Sequence, residues 1–174
     1  MRTVSHFSCG AASAVATKLI LAEVPDACIV NAFLVEEHAD NRRFLADCER
    51  WFSRRITVLR DEKYGASTLA VWKRERYIKG PNGAPCARAL KRKLLDEWSV
   101  PSDVYVLGYT AEEQDRAESL MEILPGRRLR FPLIEKGLAK EDCLAMVDRA
   151  GIQLPLMYRL GYKNANCIGC PKGG

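Results

Sequence analysis

No apolar run in the 174-residue chain approaches the length of a membrane span, so no transmembrane helix and no membrane partner are expected. The amino terminus lacks the charged-then-apolar layout of a secretory leader, which predicts a cytoplasmic location. Neither sign of charge dominates: 27 basic and 22 acidic side chains leave +5, enough to suit an anionic ligand without specifying a nucleic acid. With seven cysteines and no leader, a disulfide scaffold is not expected, and clustered thiols point to metal, iron–sulfur or catalytic chemistry. A length of 174 residues at 48% hydrophobic content predicts one domain with its own core.

What is present centres on the stretch from Val4 to Ala16, read as a strand passing through a small-residue turn into a helix. Ser8, Gly10, Ala11, Ala12 and Ser13 leave the backbone uncovered where the helix starts. The first amides of a helix have no internal partners and its dipole is positive at that end, so an anion is favoured there. A tight crossover with Ser13 as a cap is the competing reading. No Gly-Lys-Ser or Gly-Lys-Thr follows, which excludes a Walker loop.

Further strands are predicted at Cys28 to Val35, Ile56 to Leu59, Asp103 to Gly108 and Arg127 to Ile134, separated by amphipathic helices near 13–23, 42–52, 66–76, 111–121 and 140–150. Such alternation predicts an α/β fold, a Rossmann-like doubly wound and mainly parallel sheet of about five strands. Open sheets of this kind collect ligands at the carboxyl ends of their strands. Glu37, His38 and Asp40 fall there after the second strand, with Glu37 and Asp40 as candidates to hold a ribose or a cation. Gly108 ends the fourth strand, and Thr110 with Glu113 forms a capping-box pattern. Arg116 is a candidate anion contact, or a partner of Glu112 at i,i+4. Arg127, Arg128 and Arg130 are further candidates for an anion. Arg88, Lys91 and Arg92 would share one helix face.

Cys167 and Cys170 form a C-x-x-C turn that directs two thiolates at one metal. Cys86 and Cys143, each near a helix start, are the candidates to complete the set, whereas Cys28 and Cys48 read as core. An iron–sulfur cluster, a structural zinc and a redox-active dithiol all suit this pattern.

The segment Ser8-Cys9-Gly10-Ala11-Ala12-Ser13 resembles the S-G-G-x-D-S pyrophosphate loop of PP-loop ATP pyrophosphatases and PAPS (phosphoadenosine phosphosulfate) reductases, with Cys9 at a glycine and Ala12 at the aspartate. The tail Asn164-Ala165-Asn166-Cys167-Ile168-Gly169-Cys170 resembles the N-x-N-C-x-G-C segment of phage and bacterial PAPS-reductase-like proteins. The resemblance runs through Ser8, Cys86, Gly108, Arg116 and Cys143, over most of the chain. It implies an adenine nucleotide α-hydrolase-like fold, one domain with a nucleotide-binding core at 1–134 and a cysteine-bearing segment at 135–174. It also implies ATP or PAPS as ligand, held by Ser8 to Ser13, Gly108 and Arg116 beside the positional candidates Glu37 and Asp40, with Mg as an accompanying ion. A 4Fe–4S cluster on Cys86, Cys143, Cys167 and Cys170 is implied, with zinc as the alternative. The activity implied is ATP-dependent sulfur modification of a nucleic acid, with a reductant or sulfur-donor protein as partner. Alternatives are a sulfonucleotide reductase releasing sulfite and a non-catalytic nucleotide-binding subunit. No Glu-Cys-Gly nucleophile of the assimilatory reductases follows Cys170, which suggests a short or truncated form.

Overall fold

The computed structural model describes residues 1–81 and 83–171; Asn82, inside the Gly/Pro-rich loop, and the last three residues of the tail lie outside them. Strands β1 (Thr3–His6), β2 (Cys28–Ala32), β3 (Thr57–Leu59), β4 (Val104–Val106) and β5 (Arg128–Arg130) form one parallel sheet in the order β3-β2-β1-β4-β5. Val4 stands opposite Cys28 on one side and Tyr105 on the other. The strand order reverses direction at β1, so the ends of β1 and β4 part there and open a crevice.

Nine α-helical segments connect and cover the strands among the described residues: α1 (Ala11–Glu23), α2 (Asp40–Phe52), α3 (Thr68–Glu75), α4 (Pro85–Ala87), α5 (Leu94–Trp98), α6 (Gln114–Ile123), α7 (Pro132–Glu135), α8 (Lys140–Arg149) and α9 (Leu156–Arg159). Between α4 and α5 the chain runs as a π-helical stretch, Arg88–Lys93. None of the helices is long and apolar enough to cross a membrane.

The core forms where α1 is made of small residues. Ala11, Ala14, Val15 and Ala16 are buried with Phe7, Phe44, Leu133, Cys143 and Val147, so α8 can approach α1 closely. The fifth strand is short, with pairing ending before Pro132 as that proline predicts. It stops at Arg130, and Pro132 begins α7, because proline cannot donate to a strand ladder but is pre-set for the first turn of a helix.

Candidate functional site

Three hydrogen bonds shape the turn after β1. The amide of Phe7 donates to the Val30 carbonyl at 2.8 Å, and the buried Asn31 side chain donates to the Phe7 carbonyl at 2.8 Å and to Cys9 Sγ at 3.6 Å. Cys9 has φ of 57°, the left-handed region where a Cβ costs roughly 1–2 kcal/mol. A glycine, which the resembling loops carry at that place, would adopt this conformation without that cost. The twist turns Cys9 into the core, 2% exposed, where burial first and Glu37 second push its thiol up to about 12. The Cys9 side chain is therefore packing, and only its backbone belongs to the turn.

Ser13 organises the rest. Its Oγ accepts from the amides of Ser8 at 3.1 Å and Gly10 at 3.3 Å and from the Ser8 hydroxyl at 3.2 Å, while donating to the Gly10 carbonyl at 2.9 Å. The amide of Ala11 donates to the hydroxyl of Tyr158 at 3.2 Å. The anion-favouring end of α1 is thus held ready by neutral hydroxyls, which a charged oxygen would outbind as an acceptor.

This turn forms one wall of a groove of about 1090 Å³. Gly108, two residues after β4, lines it directly beside the turn. A Cβ there would lie 2.7 Å from Ser13 Cα and 2.8 Å from Ser13 N, so only glycine lets β4 come this close to α1. Arg116 borders the groove, its guanidinium 4.4 Å from the Tyr109 ring and paired with Glu113 at 2.5 Å; the partner is Glu113 and not Glu112. The Thr110 capping box forms with Glu113 as expected. Lys91, Lys140 and Lys163 add positive charge, with Glu112 and Glu141 as acidic neighbours. Residues 161–166, leading into Cys167, close one side, tethered by a hydrogen bond from Lys140 to Asn164 at 2.8 Å.

His6 lines the same groove and was not singled out from the sequence. It packs on Tyr105 with ring centroids 4.5 Å apart. Burial, aided by Arg127, lowers its pKa to about 4, so it presents a neutral imidazole at physiological pH. Its position as the last residue of β1 was the available signal.

Several expected site residues face elsewhere. Asp40 makes two bonds to Arg43, at 2.7 and 2.9 Å, and accepts from the Leu156 amide at 2.7 Å. Its carboxylate, lowered in pKa chiefly by Arg43, ties α2 to α9 and has no free oxygen for a ribose or cation. Glu37 is 8% exposed. It meets Lys91 at 3.4 Å and accepts from Asn41 at 3.3 Å, and its backbone bridges Cys167, so it anchors the tail and does not border the groove. His38 accepts from the Asp40 amide at 3.1 Å, acting as a helix-start acceptor. The π-helical winding separates Arg88 from Lys91: Lys91 turns in to Glu37, while Arg88 reaches Glu75 at 3.4 Å. Arg130 is taken up by Glu135 and Glu23, and Arg127 by the Val100 carbonyl at 2.9 Å.

The four-thiolate set is not assembled. Cys86 and Cys167 both pack on the Leu34, Val71 and Leu90 cluster, and the Cys170 amide turns back to the Cys167 carbonyl at 3.1 Å. Cys143 belongs to the other core cluster, fully buried beside Val147, where burial raises its thiol to about 11. Among the described residues no group of three or more His, Cys, Asp and Glu is arranged to hold a metal ion. A 4Fe–4S cluster or a tetrahedral zinc on the expected four cysteines therefore does not fit this arrangement. Cys143→Ser is expected to lower stability by about 1–3 kcal/mol, the cost of a buried hydroxyl without a partner. Bound iron or zinc, measured by elemental analysis after anaerobic purification, is expected to stay unchanged.

No protein-family model matches the sequence, and no curated protein matches it. Among solved structures, the chain is similar to a phosphoadenylyl-sulfate (PAPS) reductase from Candida auris, in a phosphate complex. Identity is 8% and the TM-score 0.67, covering 96% of this chain and 81% of that one. At that identity the likeness establishes the fold, which is PAPS-reductase-like.

Proposed function

From a PAPS-reductase-like fold with a groove at its strand-order reversal, we propose that the chain binds an adenine nucleotide by its phosphates at Ser8 to Ser13 and performs sulfur chemistry beside Cys167 and Cys170. The observation that carries this reading is the shared groove. The amide-rich start of α1 lines one side, the segment leading into the cysteine turn lines the other, and Lys91, Arg116, Lys140 and Lys163 stand around it.

Tyr158 supplies a specific role. Its hydroxyl accepts from the backbone amide of Ala11 at 3.2 Å, which leaves its own proton to donate into the groove toward a phosphate oxygen. Tyr158→Phe is expected to weaken ATP about 10-fold, the loss of one hydrogen bond to a charged group. Isothermal titration calorimetry measures this, with an unchanged melting profile as the folding check.

In the preferred reaction an acceptor oxygen on a nucleic acid attacks the ATP α-phosphorus and pyrophosphate leaves. Sulfide sulfur from a donor protein then forms the new bond as AMP departs. Ser8, Ser13 and the loop amides hold the phosphates, Arg116 and Lys140 balance their charge, and no step passes through a cluster or metal. The fold likeness favours a second reading, reduction of a sulfonucleotide to sulfite by thiols. Radiolabelled ATP yielding AMP and pyrophosphate only with nucleic acid present supports the first, and sulfite release from PAPS with a thiol donor supports the second. Tight binding with neither turnover leaves a nucleotide-binding subunit.

A further inference from the structure

Positive charge is concentrated in one part of the chain. Residues 60–93 hold ten lysines and arginines against three acidic residues, a net of +7, while the whole chain carries +5, so the remainder is net negative. Of the three acids, Asp61 accepts from the Tyr64 amide at 2.6 Å, and Glu75 takes the Tyr64 hydroxyl at 3.2 Å and Arg88 at 3.4 Å. Asp61 and Glu75 are thus held by partners within the segment, and all three acids together still leave it at +7.

Aromatic rings hold these cations in place. The guanidinium carbons of Arg42 and Arg60 lie 3.7 and 4.1 Å from the Phe33 ring centroid, and Lys63 and Arg74 lie 5.2 and 5.9 Å from that of Tyr64. All four cations are exposed, and among the described residues none forms an ion pair. The two rings belong to one surface. The Phe33 amide donates to the Leu59 carbonyl at 2.8 Å and the Val35 amide to the Ala66 carbonyl at 3.0 Å, which clamps segment 33–35 along 59–66. Tyr64 packs on the same Leu34, Val71 and Leu90 cluster as Cys86 and Cys167, so the strip leads to the cysteine side of the groove.

We propose that this strip binds the phosphodiester backbone of a single-stranded nucleic acid and leads the strand toward Cys167. It names the acceptor surface for the reaction proposed above and rests on that reading. Guanidiniums stacked on a ring keep their donor edges free and lose little freedom on meeting a phosphate. The nearby exposed side chains of Leu69, Tyr77 and Ile78 offer apolar faces to unstacked bases, which a duplex does not present.

Fluorescence anisotropy of labelled single-stranded DNA and RNA with the intact chain, without ATP and over a salt series, tests it. The triple variant R42E/R60E/R74E is expected to weaken binding at least ~10-fold and to reduce the salt slope by about 2, three contacts at about 0.7 each. The variant R50E/R55E/R149E changes net charge equally on other surfaces and is expected to retain most affinity. Phe33→Leu keeps every charge and is expected to give an intermediate loss. Equal losses in the two triple variants overturn the proposal, as does binding to anionic phospholipid vesicles with none to oligonucleotides. Calorimetry with ATP on the same variants separates the two readings. Oligonucleotide binding without ATP binding defeats the nucleotide assignment and leaves the strip, whereas ATP binding without oligonucleotide binding defeats the strip alone.

Discussion

Gly108→Ala is expected to abolish measurable ATP binding and to lower stability by about 3 kcal/mol, the upper end of the usual range for overpacking. The added methyl would stand 2.7 Å from Ser13 Cα, 2.8 Å from Ser13 N and 2.9 Å from the Ala12 carbonyl carbon. All three are backbone atoms at the start of a helix, so no side chain can rotate aside. Relief requires β4 to withdraw from β1 or α1 to shift along the sheet, and either movement misplaces the amides of the turn. Thermal denaturation and calorimetry read the two effects separately. Gly126→Ala, where nothing lies within 4 Å of the new methyl, serves as the control and is expected to be neutral. Wild-type ATP affinity in Gly108→Ala would show that the phosphates bind away from this contact.

Lys91→Met should cause the second large effect. Removing one partner of a fully buried ion pair costs about 3–5 kcal/mol because the other charge is left unpaired. Glu37 is buried, but the Lys91 side chain is 38% exposed, so roughly half of that is expected. Burial pulls the Lys91 pKa down, and Glu37 and Cys167 more than offset it, leaving it raised. Lys91 therefore stays a cation on the Glu37 carboxylate. Because Glu37 bridges Cys167 through the backbone and Glu36 accepts from the Ile168 amide at 2.8 Å, loosening the pair also frees the cysteine turn. Urea denaturation should show the loss, and faster alkylation of Cys167 should accompany it. The double variant Lys91→Met/Glu37→Gln removes both charges and should recover most of the stability, as a double-mutant cycle reads for a direct pair. No recovery would mean that Lys91 contributes through packing of its stem alone.

Much of the fold was legible in local pattern. The apolar runs at Cys28 and Val104 are buried strands, the alternation of strand and helix is a parallel sheet, and Thr110 with Glu113 is a cap. The small residues from Ser8 to Ser13 marked the turn correctly. The role of Cys143 was legible too, since Cys143 and Val147 stand four residues apart on one helical face, a core signature, although its place near a helix start drew it toward the thiol set. Glu37 and Asp40 show the limit of positional reasoning. Both lie after β2, on the ligand-bearing edge, yet one carboxylate points under the tail to Lys91 and the other across to Arg43 and Leu156. The π-helical stretch likewise redirects Lys91 and Arg88, and nothing in a 3.6-residue pattern foretells it.

By itself the sequence determined which segments become strands and helices, and where an uncovered turn precedes a helix, because those features depend on neighbours a few residues apart. Tertiary structure alone decided the order of strands, the closeness of Gly108 to Ser13, the hydroxyl of Tyr158 on the first turn of α1, and which thiols face one another. Each of these depends on contacts between residues far apart along the chain, from Val4 with Cys28 to Ser13 with Gly108 and Ala11 with Tyr158, and such contacts exist only once the sheet and its covering helices have packed.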